Sequence, residues 1–259
     1  MTVDALIRAL GLPESTRLDQ RVPKKLLAEQ DVATPADRRQ IQEGVDEIVW
    51  LAALKPHLIG VPAHEDAQRQ YLELAVLHLT LKPGAKPGRL VELLHRAVPY
   101  PVLLLLDAPH GLSVSAAHKR WAHNEEGKVV LDGDVLAAAL TGAAPGVHSD
   151  FLHAIALQRQ PQAHLLALYE GWMACLLALQ VAHHTGQFLC QNGLQPLPDK
   201  RKQLQKYEQL LADAARLRSQ AGKAKQMAQQ VELNLALQRV QAQLAEARSQ
   251  LSPKPHTEE

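Results

Sequence analysis

Glu73, Lys82 and Asp107 are the residue types that phosphodiester hydrolysis needs. A restriction-type nuclease holds a divalent metal between paired acids near a strand hairpin, with a lysine beside the scissile phosphate. Glu73 and Lys82 stand nine positions apart, not the two of a compact Glu-x-Lys unit. Asp107 opens the stretch Asp107-Ala108-Pro109-His110-Gly111, where an aspartate also serves a turn. The three are candidates for metal-dependent cleavage, and each has an ordinary structural reading beside it. His183-His184 is a second pair with ligand chemistry, but no third ligand follows at a fixed spacing. Cys175 and Cys190 form no Cys-x-x-Cys, and Cys175 lies in an apolar helical run that reads as core. His-Glu-x-x-His, Gly-x-Ser-x-Gly, Gly-x-Gly-x-x-Gly and the P-loop pattern are all absent. No metal and no cofactor is therefore assigned, and the reading leans away from an enzyme.

The basic residues form two groups. Arg17, Arg21, Lys24 and Lys25 surround Val22-Pro23, and read either as a solvated segment or as an anion contact. Lys200, Arg201, Lys202 and Lys206, then Arg216, Arg218, Lys223 and Lys225, crowd a second stretch opposed only by Asp199, Glu208 and Asp213. The whole chain carries a net +1, which alone implies no nucleic-acid partner. Residues 1–198 hold 17 Lys/Arg against 20 Asp/Glu, whereas residues 199–251 hold 10 against 5. That asymmetry says more than the total. It fits either a solvated helix face or contact with a nucleic-acid backbone. The eleven glutamines between 203 and 250 suit a polar protein contact or solvent.

A chain of 259 residues, 46% hydrophobic, has ample core for one large domain or two smaller ones. Aromatics are only 3%, so Ala and Leu carry the burial and helix should dominate. No secretory leader and no apolar run of 18 residues is read, so a cytoplasmic protein with no membrane partner is expected. The organising pair is Val102–Leu106, a fully buried strand, and Leu112–His118, a half-buried alternating one, joined by the Asp107–Gly111 turn. Tyr71–Leu81 is apolar on both faces, as in a central strand covered on both sides. Arg89–Ala97 places Leu90, Leu93, Leu94 and Ala97 on one helical face, so strand, helix and strand form a crossover unit.

Val3–Leu10 is an amphipathic helix, Thr34-Pro35 caps and opens another, and Val45–Lys55 reads as a strand with Trp50 in the core. Asn124–Gly127 is a turn, Lys128–Leu131 a short strand, Asp132-Gly133-Asp134 a further turn and Val135–Leu140 a short helix. Three to five strands are expected within 45–140. Ser149 caps a helix to Leu157. Gln162–His183 is a long helix in which Gly171 permits close packing or a bend, and Gly186, Gly193, Pro196 and Pro198 make a linker. Residues 199–251 contain no proline and one glycine, Gly222. Leu210, Leu217, Ala224 and Val231 repeat at seven, with Ala214, Ala221, Ala228 and Leu235 between them. Leu233, Leu237, Val240, Leu244, Ala247 and Leu251 form a second phase displaced by two. The stretch is one long helix or a hairpin bent near Gly222, with oligomerisation open.

The expected fold is thus α+β or mixed α/β, a small mixed sheet with covering helices followed by a helical region and a long C-terminal helix or helical hairpin. Its divisions are a basic and helical segment (1–44), the α/β core (45–147), a helical region and linker (148–198), the basic helix or hairpin (199–251) and a polar tail (252–259).

Several short motifs, in order, resemble the uncharacterised bacterial family catalogued as domain of unknown function 4391. Arg21-Val22-Pro23-Lys24-Lys25 matches its basic Ile-Pro-Lys-Lys segment. Ile48-Val49-Trp50 matches its Ile-x-Trp, and Leu54-Lys55-Pro56 matches part of the segment that follows, with Ala53 where the family has lysine. Val98-Pro99-Tyr100-Pro101 precedes the apolar strand, and Val231-Glu232-Leu233-Asn234 lies in the late helix. Ala224 and Gln230 replace a family glutamate and lysine. Trp50 and Asn234 are thus retained with Lys24 and Lys25. The resemblance supplies no activity. It implies genes that neighbour helicase or DNA-modification genes in defence loci, so a helicase or DNA-modification protein is the expected partner. The leading expectation is a non-catalytic accessory or scaffold subunit of a nucleic-acid-processing or phage-defence complex. A metal-dependent nuclease and a self-assembling structural protein are the alternatives.

Overall fold

The computed structural model describes residues 2–28, 34–122, 129–142, 144–190 and 197–251. The expected turn at Asn124–Gly127, Gly193 and Pro196 of the linker, and the tail from 252 lie outside them. In chain order the elements are α1 (Val3–Leu10), β1 (Arg17–Arg21), α2 (Lys25–Ala28), α3 (Pro35–Gly44), β2 (Val45–Leu54), α4 (Pro56–Ile59), β3 (His64–Glu65), β4 (Gln70–Tyr71), β5 (Leu74–Leu81), α5 (Pro87–Ala97), β6 (Val102–Ala108), β7 (Gly111–Trp121), β8 (Val129–Ala139), α6 (Pro145–Ala154), α7 (Leu165–Thr185), α8 (Leu197–Lys223) and α9 (Met227–Leu251).

Six strands form one sheet in the order β1-β2-β5-β6-β7-β8, and β3 pairs with β4 in a separate small hairpin. Among the described strands only β5 and β6 run parallel, with Ala75 opposite Val102 and Thr80 opposite Asp107. Parallel neighbours need a crossover, and α5 supplies it. β5 and β6 are apolar on alternate positions of both faces, so each face carries a core. On one face, Val76, Leu103, Leu105, Val114 and Leu136 pack with α1, α6 and α7, and the same cluster continues to Leu204, Tyr207, Ala247 and Leu251 of the last two helices. On the other, Ile48, Leu77, Leu79, Leu104 and Leu106 pack against Leu90, Leu93 and Leu94 of α5 and Ile41 of α3.

Local chemistry explains the ends. Thr34 and Asp37 form a reciprocal capping box at α3, with Pro35 at its first position. β6 and β7 join at Ala108 and Gly111. Gly111 has φ 122°, and a Cβ there would lie 2.1 Å from Thr141 Cγ2, so glycine is required on both counts. In α7, a Cβ on Gly171 would meet Gln160 Oε1 and Pro161 Cδ, each at 2.6 Å. The glycine allows close packing, and the helix runs on through it. α7 is long and apolar enough to cross a membrane by composition, but 78% of its most apolar window is buried inside the protein.

Three expectations are corrected. Within the expected helix Val135–Leu140, residues 135–139 are the second half of strand β8 and Leu140 follows its end. Its alanines favour helix intrinsically, but pairing of Ala137 with Ser115 and Ala139 with Ser113 outweighs that preference. Asp132-Gly133-Asp134 is likewise inside the strand, with Gly133 at φ 82° beside a register shift opposite Ala116 and His118. Ser149 is interior to α6, whose cap position is Ala144. The sixth strand, β1, is an edge strand of mostly exposed polar residues and carried no apolar signal. Counting β3 and β4, seven strands fall within 45–140 among the described residues, against the three to five expected.

Residues 197–251 are a helical hairpin. α8 ends at Lys223 and α9 starts at Met227, so the break falls just past Gly222. Ala214 and Ala221 of the first heptad phase are buried, whereas Val231 and Leu235 are more than half exposed. In α9 the inward side belongs to the second phase, through Ala247 and Leu251 with Leu244 against them. The two-residue displacement in the apolar pattern therefore marks the turn.

Candidate nucleic-acid interface

The hairpin positions the basic residues. α8 buries Leu204, Tyr207, Ala214 and Ala221 along one stripe. At 100° per residue, Lys202, Lys206, Arg216 and Lys223 fall within about 100° of arc facing away from that stripe. All four are exposed, and they span roughly 32 Å of helix at 1.5 Å per residue. Arg216 pairs with Asp213 one turn back at 2.9 Å. Exposed Arg218 lies off this row, and Lys225 follows the helix end.

Two of the basic residues have other work. The Arg201 guanidinium donates to the Asp134 carbonyl at 3.3 Å and lies 3.6 Å from its carboxylate, tying α8 to edge strand β8. Lys200 is half-buried beside Cys190, and burial lowers its ammonium below the usual lysine range.

The N-terminal basic segment is mostly neutralised internally. Arg17 pairs with Asp19 at 2.8 Å and Arg21 with Glu47 at 3.2 Å. Lys24 Nζ donates to the Val45 carbonyl, holding the β1–α2 connection on β2. Lys25 is exposed on α2. β2 lies four strand spacings from β8, roughly 19 Å at 4.8 Å each, so this segment and the start of α8 sit towards opposite sheet edges. Trp50 is half-buried on β2, its Nε1 donating to the Ala52 carbonyl at 3.0 Å and its ring edge-on to Tyr100 at 6.4 Å. Two of the short motifs thereby meet in space. Asn234 is exposed on α9.

The three nuclease candidates do not gather. Glu73 precedes β5 and faces Lys55 at 3.6 Å. Asp107 ends β6, and the parallel register puts it opposite Thr80, roughly 20 Å along the strand from Glu73. Lys82 follows β5 at the Asp107 end, where its backbone N–H donates to the Gly44 carbonyl. His183 Nε2 lies 2.8 Å from the Ala139 carbonyl, and His184 lies 3.5 Å from Glu208, its ring against Tyr207. Gln180 donates to the Ala137 carbonyl at 2.8 Å, so α7 supplies partners to an otherwise open sheet edge. Among the described residues, no group of three His, Cys, Asp or Glu is placed to hold a metal ion.

A set of buried and half-buried polar contacts connects the sheet instead. Arg69 donates to Asp132 at 2.6 Å, Tyr71 Oη lies 2.7 Å from His118 Nδ1, and the Tyr169 hydroxyl donates to the Val102 carbonyl at 2.8 Å while accepting from Ala117 N. Burial, with Arg69 nearby, brings His118 down to about 4. His95, wholly buried with Nε2 2.9 Å from Ser115 Oγ, falls to about 3, first through burial and then through Lys119. Lys119 Nζ donates to the carbonyls of His95 and Val98 at the C-terminal end of α5, where a cation is favoured, and burial lowers it to about 8. These groups sit between packed elements and tie β4, β7, β8, α5 and α7 together. Alternation within β7 hints at His118 and Lys119, but no local spacing links Arg69 to Asp132, 63 positions on.

A family model described as Domain of unknown function (DUF4391) matches residues 10–244, and the chain belongs to that family. No curated protein and no solved structure matches it.

Proposed function

We propose that this member of the DUF4391 family is a non-catalytic accessory or scaffold subunit of a bacterial nucleic-acid-processing or phage-defence complex, and that its helical hairpin contacts a phosphate backbone. The observation that carries the reading is the exposed row Lys202, Lys206, Arg216 and Lys223 on the outward face of α8. Evenly spread cations neutralise phosphates and release counterions, which gives affinity that falls with salt and discriminates little between sequences. The glutamines between them donate to phosphate and sugar oxygens at no cost in charge. The partner would be a helicase or DNA-modification protein. A second reading, protein docking or self-assembly, draws support from Met227, Val231 and Leu235, spaced four apart on α9 and 79%, 55% and 51% exposed.

Titration of two unrelated duplexes at two salt concentrations tests the reading. Binding should be equal on both, and replacing the four cations by Ala should weaken both alike. Each lost phosphate contact should flatten the log–log salt slope by about 0.9. Circular dichroism should be unchanged, since alanine suits a helix. No binding by the wild type at low salt would discard the nucleic-acid contact.

A further inference from the structure

Outside the basic face, the cluster with the clearest chemistry is a pair of thiols. Cys175 sits on the buried side of α7, and Cys190 on the segment that leaves α7 for α8. Their sulfurs are 3.2 Å apart, closer than two sulfurs rest without a hydrogen bond or a bond. Phe188, two residues before Cys190, stacks edge-on against Phe151 of α6 at 6.0 Å and holds this segment on the core. The two thiols differ in environment. Cys175 is buried, with the Ala154 carbonyl 3.6 Å from its sulfur. Cys190 is half-exposed and has Lys200 of α8 near it.

We propose that Cys175 and Cys190 are a peroxide-responsive pair, in which Cys190 is the attacking thiol and Cys175 the resolving one, and that their disulfide fastens the segment following α7 to that helix. The Cys190 thiolate attacks one oxygen of a hydroperoxide. The O–O bond breaks, the leaving oxygen departs as water or alcohol with a proton from solvent, and Cys190 becomes a sulfenic acid. The Cys175 sulfur then attacks the Cys190 sulfur. The S–O bond breaks, the hydroxyl leaves as water with the Cys175 proton, and the disulfide forms. Two sulfurs have lost two electrons to one peroxide. A small dithiol reverses the reaction by two exchange steps.

Environment supports this division of labour. The hydrogen bond with Cys175, and then the Lys200 charge, hold the Cys190 thiol below its ordinary value. The same contact and burial push the Cys175 thiol up. The sulfurs need to approach by only about 1 Å to reach the roughly 2.05 Å of a disulfide.

The test uses the full chain with hydrogen peroxide. Wild type should lose both alkylatable thiols, stay monomeric on a non-reducing gel, become lighter by two hydrogens, and recover with dithiothreitol. In Cys175→Ser, a 1,3-dione trap should label Cys190. In Cys190→Ser it should not label Cys175 over the same interval. Lys200→Met should slow the labelling several-fold. Because Cys175 is buried, Cys175→Ala provides a second background, and circular dichroism checks the fold of each. Two persisting thiols in wild type, an intermolecular disulfide in their place, or a labelled Cys175 in Cys190→Ser would overturn the proposal.

Discussion

Helix α7 and the α8–α9 hairpin are made of similar lengths of helix and are stabilised by different physics. α7 buries fourteen of its 21 residues, α8 four of 27 and α9 two of 25. α7 is held by contacts with α6, the sheet and the hairpin base. The hairpin beyond its base is held by alanine-rich pairing of one helix on the other, which buries little area per position. A helix of that kind belongs at the low end of local stability, where surfaces that meet partners are drawn from. The contrast also separates two kinds of charge. Around the sheet, His95, Lys119 and Tyr169 are buried and hydrogen-bonded to neighbouring elements. On α8, Lys202, Lys206, Arg216 and Lys223 face outward.

The largest test of this contrast is truncation at the centre of α7. Trp172 is fully buried and its Nε1 donates to the Ile155 carbonyl at 2.9 Å. Trp172→Ala should cost about 3–5 kcal/mol in urea unfolding, from the lost contacts and the cavity left behind. Ala214→Gly on the hairpin seam should cost only about 1 kcal/mol. Equal losses would mean that the hairpin is as firmly integrated as α7.

Acid sharpens the same division, because the depressed histidines belong to the sheet region. His118 titrates near 4 and His95 near 3 in the folded chain, and both near 6.5 when unfolded. A depressed histidine leaves the unfolded chain binding more protons below 6.5, so stability falls as pH drops from 6.5 towards those values. For His118 alone the span is worth about 3 kcal/mol. Asp66, held near 2 by His64 and by backbone N–H groups, and Asp37, held low by the Arg89 guanidinium, stabilise the fold fully above their unfolded values near 3.8 and lose that contribution only below them. Urea midpoints between pH 6.5 and 4.5 therefore report mainly on the histidines. His95→Gln should flatten that slope, and an unchanged slope would refute the burial argument. Lys119 acts at the other end. Its folded value near 8 lies below the unfolded 10.5, so its contribution to stability rises between those pH values and should vanish in Lys119→Met.

The sequence makes legible what is periodic and local. The all-apolar run Val102–Leu106, the alternation from Leu112, the crossover helix and the capping box at Thr34 each announce themselves within a few residues. The displaced heptad phase at Leu233 is equally plain, although the sequence leaves one long helix and a hairpin bent near Gly222 both open. What stayed hidden was decided at a distance. Edge strand β1 is recognised only through pairing with β2, and the alanines of β8 become strand only because Ser113 and Ser115 lie opposite. The cations of α8 are plain as a group, but the structure sorts them. Arg201 is drawn to Asp134 and Lys200 to the Cys190 environment, while Lys202 and Lys206 stay outward. Asp107 and Glu73 look compatible until the parallel register sends them to opposite strand ends.

The finest test sets one glycine in each region against the other, through the same substitution. Gly171→Ala gains helix propensity but drives a methyl group to 2.6 Å from Gln160 Oε1 and Pro161 Cδ. Gln160 is itself buried, its amide donating to the Ala154 carbonyl at 2.7 Å and the Ala156 carbonyl at 2.9 Å, so it cannot swing away without leaving those acceptors. Overpacking of that kind costs about 1–3 kcal/mol, more than the propensity gain returns. Gly222→Ala places its methyl group where no described atom lies within 4 Å. The backbone there is helical, with no left-handed φ to demand glycine. Alanine should therefore stabilise α8 by up to about 1 kcal/mol, less so near Lys223, where the helix ends. Paired urea titrations should show opposite signs. If Gly222→Ala were destabilising, the connection after Lys223 would depend on glycine and the hairpin would be held by its turn. If it stabilises, α8 is limited by backbone entropy, as expected of a helix that buries so little.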